Sequence, residues 1–551
     1  MRINRLYLKE FRNLIDFEVD FDQGSSRQVI VGRNGVGKSN LLEAIIQIFR
    51  DLDLEEATTF SYQIEYICRD HAVRITNEEI KQEGLKKKYK RTYEVSSLET
   101  TSFSNEQAYK RIDELDFYRR NQRVDNEANP KRLLPNYVFG YYSGDIARFQ
   151  GMFAKHEERY YQEQSRGEEA PLRALFLTRP QHSQFALLSF FAVEDNKARD
   201  FLRREMRIEG LDAVLFALRE PYWHKGKKHN SNHNADSRFW GAGGKVSPFL
   251  DSLFDNSFAP MAFSERMRIS VGQTQTKERR FCYLPNLKAV QGVAAGLSNK
   301  EFFARLESLV FSNLTSQDGS DVRIWLNLDG VKKPASFSDL AEGERQLLTV
   351  LGLLRFTAED EALFILDEPD THLNPAWCID YLEHLETYGA SLATSQIIMT
   401  THSPLTFAGL EKKEVVILER NLNDKICAQH PVNSPKGMGF QAILTSDFFG
   451  LRSTLDKETL GELDEKRELA LKKEKTDDDW KRLTELDEKL GKLDFSKAAR
   501  DPLYLEFIKA MMQAQEEHPE LAEAAPSKAD WNIRKDIAKN IAIELKRAAQ
   551  S

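Results

Sequence analysis

Four separated stretches of this 551-residue chain carry residue types that can hold and activate a phosphate. The first runs from Val31 to Asn40, VGRNGVGKSN. Gly32, four further residues and then Gly37-Lys38-Ser39 fit the phosphate-loop pattern G-x-x-x-x-G-K-[ST]. Gly35 and Gly37 let backbone N–H groups turn towards an anion, Lys38 reaches the β- and γ-phosphates, and the Ser39 hydroxyl is placed to ligate Mg²⁺. Gly32, Arg33, Asn34, Gly35, Val36, Gly37, Lys38, Ser39 and Asn40 are therefore expected to bind a nucleoside triphosphate.

The second stretch is EALFILDEPDTHLNP, in which Asp367 and Glu368 end an apolar run. A carboxylate at the end of a buried strand is costly unless it serves a cation, so Asp367 is expected to share Mg²⁺ with Ser39. Glu368 is placed to polarise the attacking water. The third stretch, SQIIMTTHSP, brings His402 to the end of another apolar run, where it can touch the γ-phosphate side. The fourth is FSDLAEGERQLLTVLGLLRF, with Ser338 or Asp339 as a helix cap and Gly343 standing 24 residues before Asp367.

These residues need a particular frame. RQVIV before the loop and LLEAIIQIFR after it read as strand and helix, and the helix N-terminus adds its own attraction for the anion. Residues 362–366 and 396–399 read as buried strands of the same sheet. The opening NRLYLKEFRNLIDFEVDF reads as strand, bend and strand with Arg12 and Asn13 at the bend, and SYQIEYICRDHAVRITN as an antiparallel hairpin.

In this order the four stretches resemble the ABC-type ATPase heads of the SMC, Rad50 and RecF class. The resemblance implies an α/β fold: a mixed sheet with helices, carrying a compact mostly helical insert and a helical C-terminal region. It implies ATP and Mg²⁺ as ligands. It also implies that a signature segment, here Leu340-Ala341-Glu342-Gly343-Glu344, caps the nucleotide of a second copy. One chain would then hold two incomplete half-sites, and a head-to-tail homo-oligomer, at least a dimer, two whole ones. Ala341 stands where the class usually has a serine, removing a hydrogen bond to the γ-phosphate worth about 1 kcal/mol or somewhat more; this bears on the hydrolysis rate more than on binding.

The reading divides the chain into residues 1–104, an N-terminal half of the ATPase lobe; 105–300, a mostly helical insert without a sustained heptad; 301–440, the second half of the lobe; and 441–551, a helical region suited to a partner. In the insert, QHSQFALLSFFAVED and EGLDAVLFALRE read as helices. Gln150 is a candidate for the class's nucleotide-sensing glutamine. Tyr137, Phe139, Tyr141 and Tyr142 read either as a buried strand or as a base-stacking cluster. His224, His229 and His233 lie in a polar loop, read as a surface loop before a metal site. In the tail, residues 456–493 read as a helical hairpin with the i,i+4 pairs Glu462–Lys466, Glu468–Lys472 and Glu485–Lys489 and a stripe of Leu483, Leu486, Leu490 and Leu493.

Bulk properties narrow the function. A net charge of −8 argues against coating by nucleic acid but leaves room for local contact, for example through KQEGLKKKYKR. No run of about 18 apolar residues is present, no signal-peptide pattern opens the chain, and four dispersed cysteines have no metal-ligand spacing, so a cytoplasmic protein is expected. Asp477 and Asp479 have the spacing of a Toprim metal pair but lie in a polar turn, so no in-chain nuclease is expected.

YYSG, FWGAGG, YLPN and LTSDFFGLRST add a resemblance to the PtuA family, the ATPase subunits of Septu anti-phage systems, including retron-associated forms. It implies a separate HNH nuclease as partner and, in retron forms, a reverse transcriptase with its RNA–DNA. The alternatives are a RecF- or SMC-like repair ATPase that binds DNA itself, and an OLD-like nuclease.

Overall fold

The computed structural model describes residues 1–80, 88–97, 109–122, 131–144, 146–165, 173–221, 237–243, 246–270, 272–357, 361–389, 392–421, 423–472, 474–492, 537 and 539–541. The chain opens with β1 (Arg2–Phe11), β2 (Leu14–Asp20) and β3 (Arg27–Gly32), enters α1 (Lys38–Asp53), and continues through β4 (Tyr62–Cys68), β5 (His71–Ile80), β6 (Lys88–Ser97) and β7 (Lys110–Ile112). Next come α2 (Glu114–Asn121), β8 (Tyr137–Tyr142), α3 (Ala147–Ser165), β9 (Leu175–Leu177), α4 (Gln181–Ala192), α5 (Asn196–Arg204) and β10 (Ile208–Arg219). Then follow α6 (Val246–Asp255), β11 (Met261–Ser270), β12 (Gln273–Leu284), α7 (Leu287–Val293), α8 (Asn299–Phe311), β13 (Val322–Leu328) and β14 (Ala335–Ser336). The second half of the site is built by α9 (Glu342–Thr357), β15 (Ala362–Asp367), α10 (Pro375–Tyr388), β16 (Gln396–Thr400), α11 (Pro404–Phe407), β17 (Val415–Arg420), β18 (Ile426–Gln429) and α12 (Phe440–Thr445).

Three sheets result. The central one has the order β18-β17-β3-β16-β15-β8-β9 and is parallel except for the β17–β18 pair. Its inner strands are covered on both faces, which is why residues 362–367 and 396–400 are buried without a break. The core is dense: the Phe139 ring stacks on Phe364 at 5.0 Å and 9° across β8 and β15. Phe364→Ala is expected to cost roughly 3–5 kcal/mol, read from urea unfolding; a loss below about 1 kcal/mol would contradict this packing.

A second sheet, β2-β1-β4-β5-β6-β7, is antiparallel and packs with α1 in one apolar core. The expected bend between β1 and β2 is there: Arg12 has φ 54°, and Asn13 Nδ2 donates to the Gly35 carbonyl at 3.1 Å.

The third sheet, β11-β12-β10-β13-β14, draws three of its strands from residues 105–300. EGLDAVLFALRE is the strand β10, not a helix. It pairs antiparallel with both β12 and β13, so both of its edges are occupied. Its apolar stretch, residues 213–218, has no period to separate strand from helix, and tertiary pairing overrides the helical preference of its Leu and Ala. β8 and β9, also within that range, belong to the central sheet. QHSQFALLSFFA does form a helix, α4, with every residue but Gln184 buried.

The chain divides into two compact units, Met1–Gly450 and Leu451–Ser551. In the second, α13 (Lys457–Leu471) and α14 (Asp477–Lys492) form the expected hairpin, with Leu483, Leu486 and Leu490 buried. The ion pairs differ from the expected i,i+4 set and run between the helices: Lys489 to Glu458 at 2.9 Å and to Glu462, Lys466 to Asp487, and Arg482 to Glu465 at 2.8 Å. Packing the Leu stripe brings the opposite arm closer than the next turn. Asp477 and Asp479 are in the first turn of α14, where Asp479 accepts from Lys472 and from the Thr476 N–H. Leu493, most of 501–551, residues 81–87 and the three loop histidines lie outside the described residues.

Candidate functional site

β3, β16 and β15 are neighbours in the central sheet, although β16 comes last in the chain. Their registers set Asp367 beside Thr400 and Thr400 beside Ile30, so the segments leaving these strands emerge at one edge. Sites in open parallel sheets form at such carboxyl ends.

The loop between β3 and α1 turns through Gly35 and Gly37, with φ 82° and 87°. Gly37 also has no room for a side chain: a Cβ would stand 2.9 Å from both the Asn13 amide oxygen and a Leu14 methyl. Lys38 is buried, and its Nζ donates to the Gly32 carbonyl at 2.9 Å and the Arg33 carbonyl at 3.4 Å. Burial lowers its pKa, while the nearby carboxylates Glu368 and Asp367 oppose the shift. Val36 is buried, whereas Asn34 is exposed. Arg33 points away from the loop to the Phe449 and Gly450 carbonyls, at 3.4 and 3.3 Å.

Asp367 is 2% exposed. The Thr400 hydroxyl donates to its Oδ1, while Oδ2 is buried without a hydrogen-bond partner. Burial raises its carboxyl pKa, against the Thr400 and Ser39 hydroxyls. An orphaned carboxylate oxygen beside a serine hydroxyl suits a hard divalent cation, so Ser39 and Asp367 are the residues that would hold Mg²⁺. Among the described residues no cluster of three or more His, Cys, Asp or Glu forms a metal site of its own.

Glu368 follows with φ 51°. Its N–H is held by the Thr400 carbonyl at 3.2 Å and hydroxyl at 3.1 Å. Its carboxylate pairs with His402 Nε2 at 2.9 Å, and this hydrogen bond is the largest cause of its lowered pKa. Both side chains are about one-third exposed, 33% and 37%, and so are open to a ligand. A carboxylate kept ionised at neutral pH and fixed by an imidazole can accept a proton from, or orient, a water.

The raised Asp367 pKa has a stability consequence. A carboxyl whose folded pKa exceeds its unfolded value costs stability above both values, and the cost vanishes as pH falls below them. Asp367→Asn keeps the acceptor for Thr400 and is expected to raise the thermal midpoint of the nucleotide-free protein at neutral pH. The gap to the parent should shrink as pH falls towards about 4. A lower midpoint at neutral pH would count against this electrostatic reading.

The signature segment is tied to the loop after β15. A Cβ on Gly343 would meet the His372 carbonyl at 2.5 Å, and Gln346 Nε2 donates to the Pro369 carbonyl. Leu340 is buried, while Ala341 and Glu342 are exposed. The capping expectation is corrected here: Ser336, not Ser338 or Asp339, caps a short turn at 337–339, and α9 begins only at Glu342. The Ala341 N–H donates to the Glu344 carboxylate at 2.6 Å. The described contacts of this segment run within itself and to the loop after β15, not to the phosphate loop of the same chain.

Gln150 lies on the first turn of α3 and is exposed. α3 directs Arg148 at the start of the phosphate-loop helix: it donates to Asn40 Oδ1 at 2.5 Å and reaches Glu43 at 3.4 Å. Arg12 also pairs with Glu43, which is buried between the two. Neither arginine's link to α1 was read from the sequence; the spacing of Arg148 from the loop carries no signal. Thr400, Thr401 and Asp370 were likewise passed over as functional residues. Tyr137 and Phe139 are buried in β8, with Tyr141 and Tyr142 partly so, which makes this stretch a strand of the central sheet.

A protein-family model described as "AAA domain, putative AbiEii toxin, Type IV TA system" matches residues 29–408. The Septu protein PtuA of Bacillus mycoides (strain KBAB4) is 36% identical over 95 residues, 17% of this chain and 13% of that protein. The DNA replication and repair protein RecF of Synechocystis sp. is 47% identical over 45 residues, 8% of this chain and 11% of that protein. The matches thus span 13% and 11% of the lengths of these curated relatives. Among solved structures, an SMC head bound to the C-winged helix domain of ScpA aligns over 78% of this chain and 98% of that one, with 13% identity and a TM-score of 0.29.

Proposed function

The chain belongs to the AAA domain family whose model covers its residues 29–408, and on that premise we propose that it binds and hydrolyses ATP to control the assembly of a defence complex. The observation that carries the chemistry is the convergence of Lys38, the half-satisfied Asp367 and the Glu368–His402 pair at one edge of the central sheet.

In the proposed reaction Lys38 leaves the Gly32 and Arg33 carbonyls for the β- and γ-phosphates. The loop N–H groups and the α1 N-terminus bind the same oxygens. Ser39 and Asp367 would hold Mg²⁺, which would supply charge neutralisation for the phosphates. Glu368 orients the attacking water, and His402, held to it, faces the γ-phosphate. The signature residues 340–344 of a second copy close the site, so that ATP joins two chains and hydrolysis releases them. The contacts of this segment away from its own phosphate loop favour that arrangement.

The partial likeness to Septu protein PtuA supports a regulatory role: nucleotide occupancy holds or releases a separate HNH nuclease. A retron reverse transcriptase with its RNA–DNA is the further partner of this reading. Expression from the native locus with its neighbours, followed by weighing of the purified complex with and without ATP, tests it. A stable complex containing a small HNH protein is expected. A lone dimer in every nucleotide state, with salt-dependent DNA binding of its own, would favour a RecF-like ATPase instead.

A further inference from the structure

Asp370 is 4% exposed and lies three residues beyond Asp367, in the loop that leaves β15. Nothing in the proposed reaction uses it. A carboxylate buried this far requires partners, and both of its hydroxyl partners come from across the site. The Thr401 hydroxyl donates to Asp370 Oδ2 at 2.5 Å, and the Thr406 hydroxyl donates to the same oxygen. Thr401 and Thr406 are themselves buried, at 0% and 2%.

These two threonines flank His402. The Thr401 hydroxyl also accepts from the Ser403 N–H at 2.9 Å, closing a bracket of one residue on each side of His402. The Thr406 N–H closes the next turn on the Ser403 carbonyl at 3.3 Å. The segment that carries the histidine is therefore fastened at both ends to a single oxygen. That oxygen belongs to the same loop as Glu368, the group His402 pairs with.

We propose that Asp370 is a positioning residue for the Glu368–His402 pair, acting through Thr401 and Thr406. It rests on the ATPase reading above and adds to it a reason why His402 stays on Glu368. Only one of its oxygens takes the two hydroxyls, so the requirement is for an acceptor at that point rather than for a charge. An amide oxygen in the same place satisfies it. An alanine leaves two buried hydroxyls without their acceptor and frees the Thr401 bracket.

The test compares Asp370→Ala with Asp370→Asn in the full chain. Asp370→Ala is expected to lower kcat for ATP by about 10-fold or more with KM within about twofold, while Asp370→Asn stays within about threefold of the parent. Thr401→Val should reproduce the alanine defect and Thr401→Ser should not; this second pair decides the question if Asp370→Ala does not fold. The Asp370→Ala, Thr401→Val double variant should be no worse than either single one, because both break the same link. A second readout does not depend on turnover. With ¹⁵N-histidine labelling, the His402 ring resonance, assigned by its loss in His402→Gln, should move in Asp370→Ala and stay in Asp370→Asn. An unmoved His402 resonance in Asp370→Ala, or additive kcat losses in the double variant, would overturn the proposal. If the parent shows no ATP turnover but the resonance moves as stated, the ATPase reading fails and the positioning role stands.

Discussion

Lys38→Ala is expected to lose on the order of 100-fold in affinity for ATP and all measurable turnover. The ammonium would make charge-assisted hydrogen bonds to phosphate, each worth about 1.5–3 kcal/mol. The amine is already inside the loop, held by the Gly32 and Arg33 carbonyls, so little ordering entropy remains to be lost when the phosphates arrive. Burial lowers its pKa, while Glu368 and Asp367 help to keep it charged. Titration calorimetry with a slowly hydrolysed ATP analogue checks the result, with the thermal midpoint as the control for folding. Affinity within about threefold of the parent would mean that Lys38 does not reach the phosphates.

Glu368→Gln is expected to retain ATP binding while turnover falls by about 10²–10⁴-fold, the usual range for loss of a general base. The change is nearly isosteric and keeps an acceptor for His402. What it removes is the ionised carboxylate that the His402 hydrogen bond stabilises. Asp367, the signature segment and the Lys38 contacts are untouched. Single-turnover kinetics separate binding from chemistry here. Hydrolysis at the parent rate would move the base elsewhere, and a matching loss of affinity would show that Glu368 serves binding and not the chemical step.

The strands that carry the glycine-rich loop and the acidic end were legible because each is an apolar run that ends in glycine or a polar side chain and a turn. Residues 27–32, 362–367 and 396–400 are parallel neighbours, and the run-then-reactive-residue pattern was enough to find them. β10 reads as a helix because its apolar stretch, residues 213–218, has no period and its Leu and Ala suit a helix as well. The fasteners of the site were missed for a different reason. Thr400 and Thr401 act on Asp367 and Asp370, more than thirty residues away in sequence, and Arg148 acts on α1 from more than one hundred. Hydroxyl-to-carboxylate links over such distances leave no period and no fixed spacing. The exchange of i,i+4 pairs for interhelical ones in α13 and α14 has the same origin, since only folding decides which turn of a neighbour comes closer.

The proposed mechanism depends on a nucleotide site completed between two copies of the chain. The most direct measurement is the solution mass of the Glu368→Gln protein, with and without Mg²⁺–ATP, together with the ATP content of each species. A shift to a dimer or larger assembly on ATP, with one nucleotide per chain and reversal when Lys38→Ala is added to the same protein, is the predicted result. A mass that does not change while ATP is bound at full occupancy would contradict it, because the site would then be complete within a single chain.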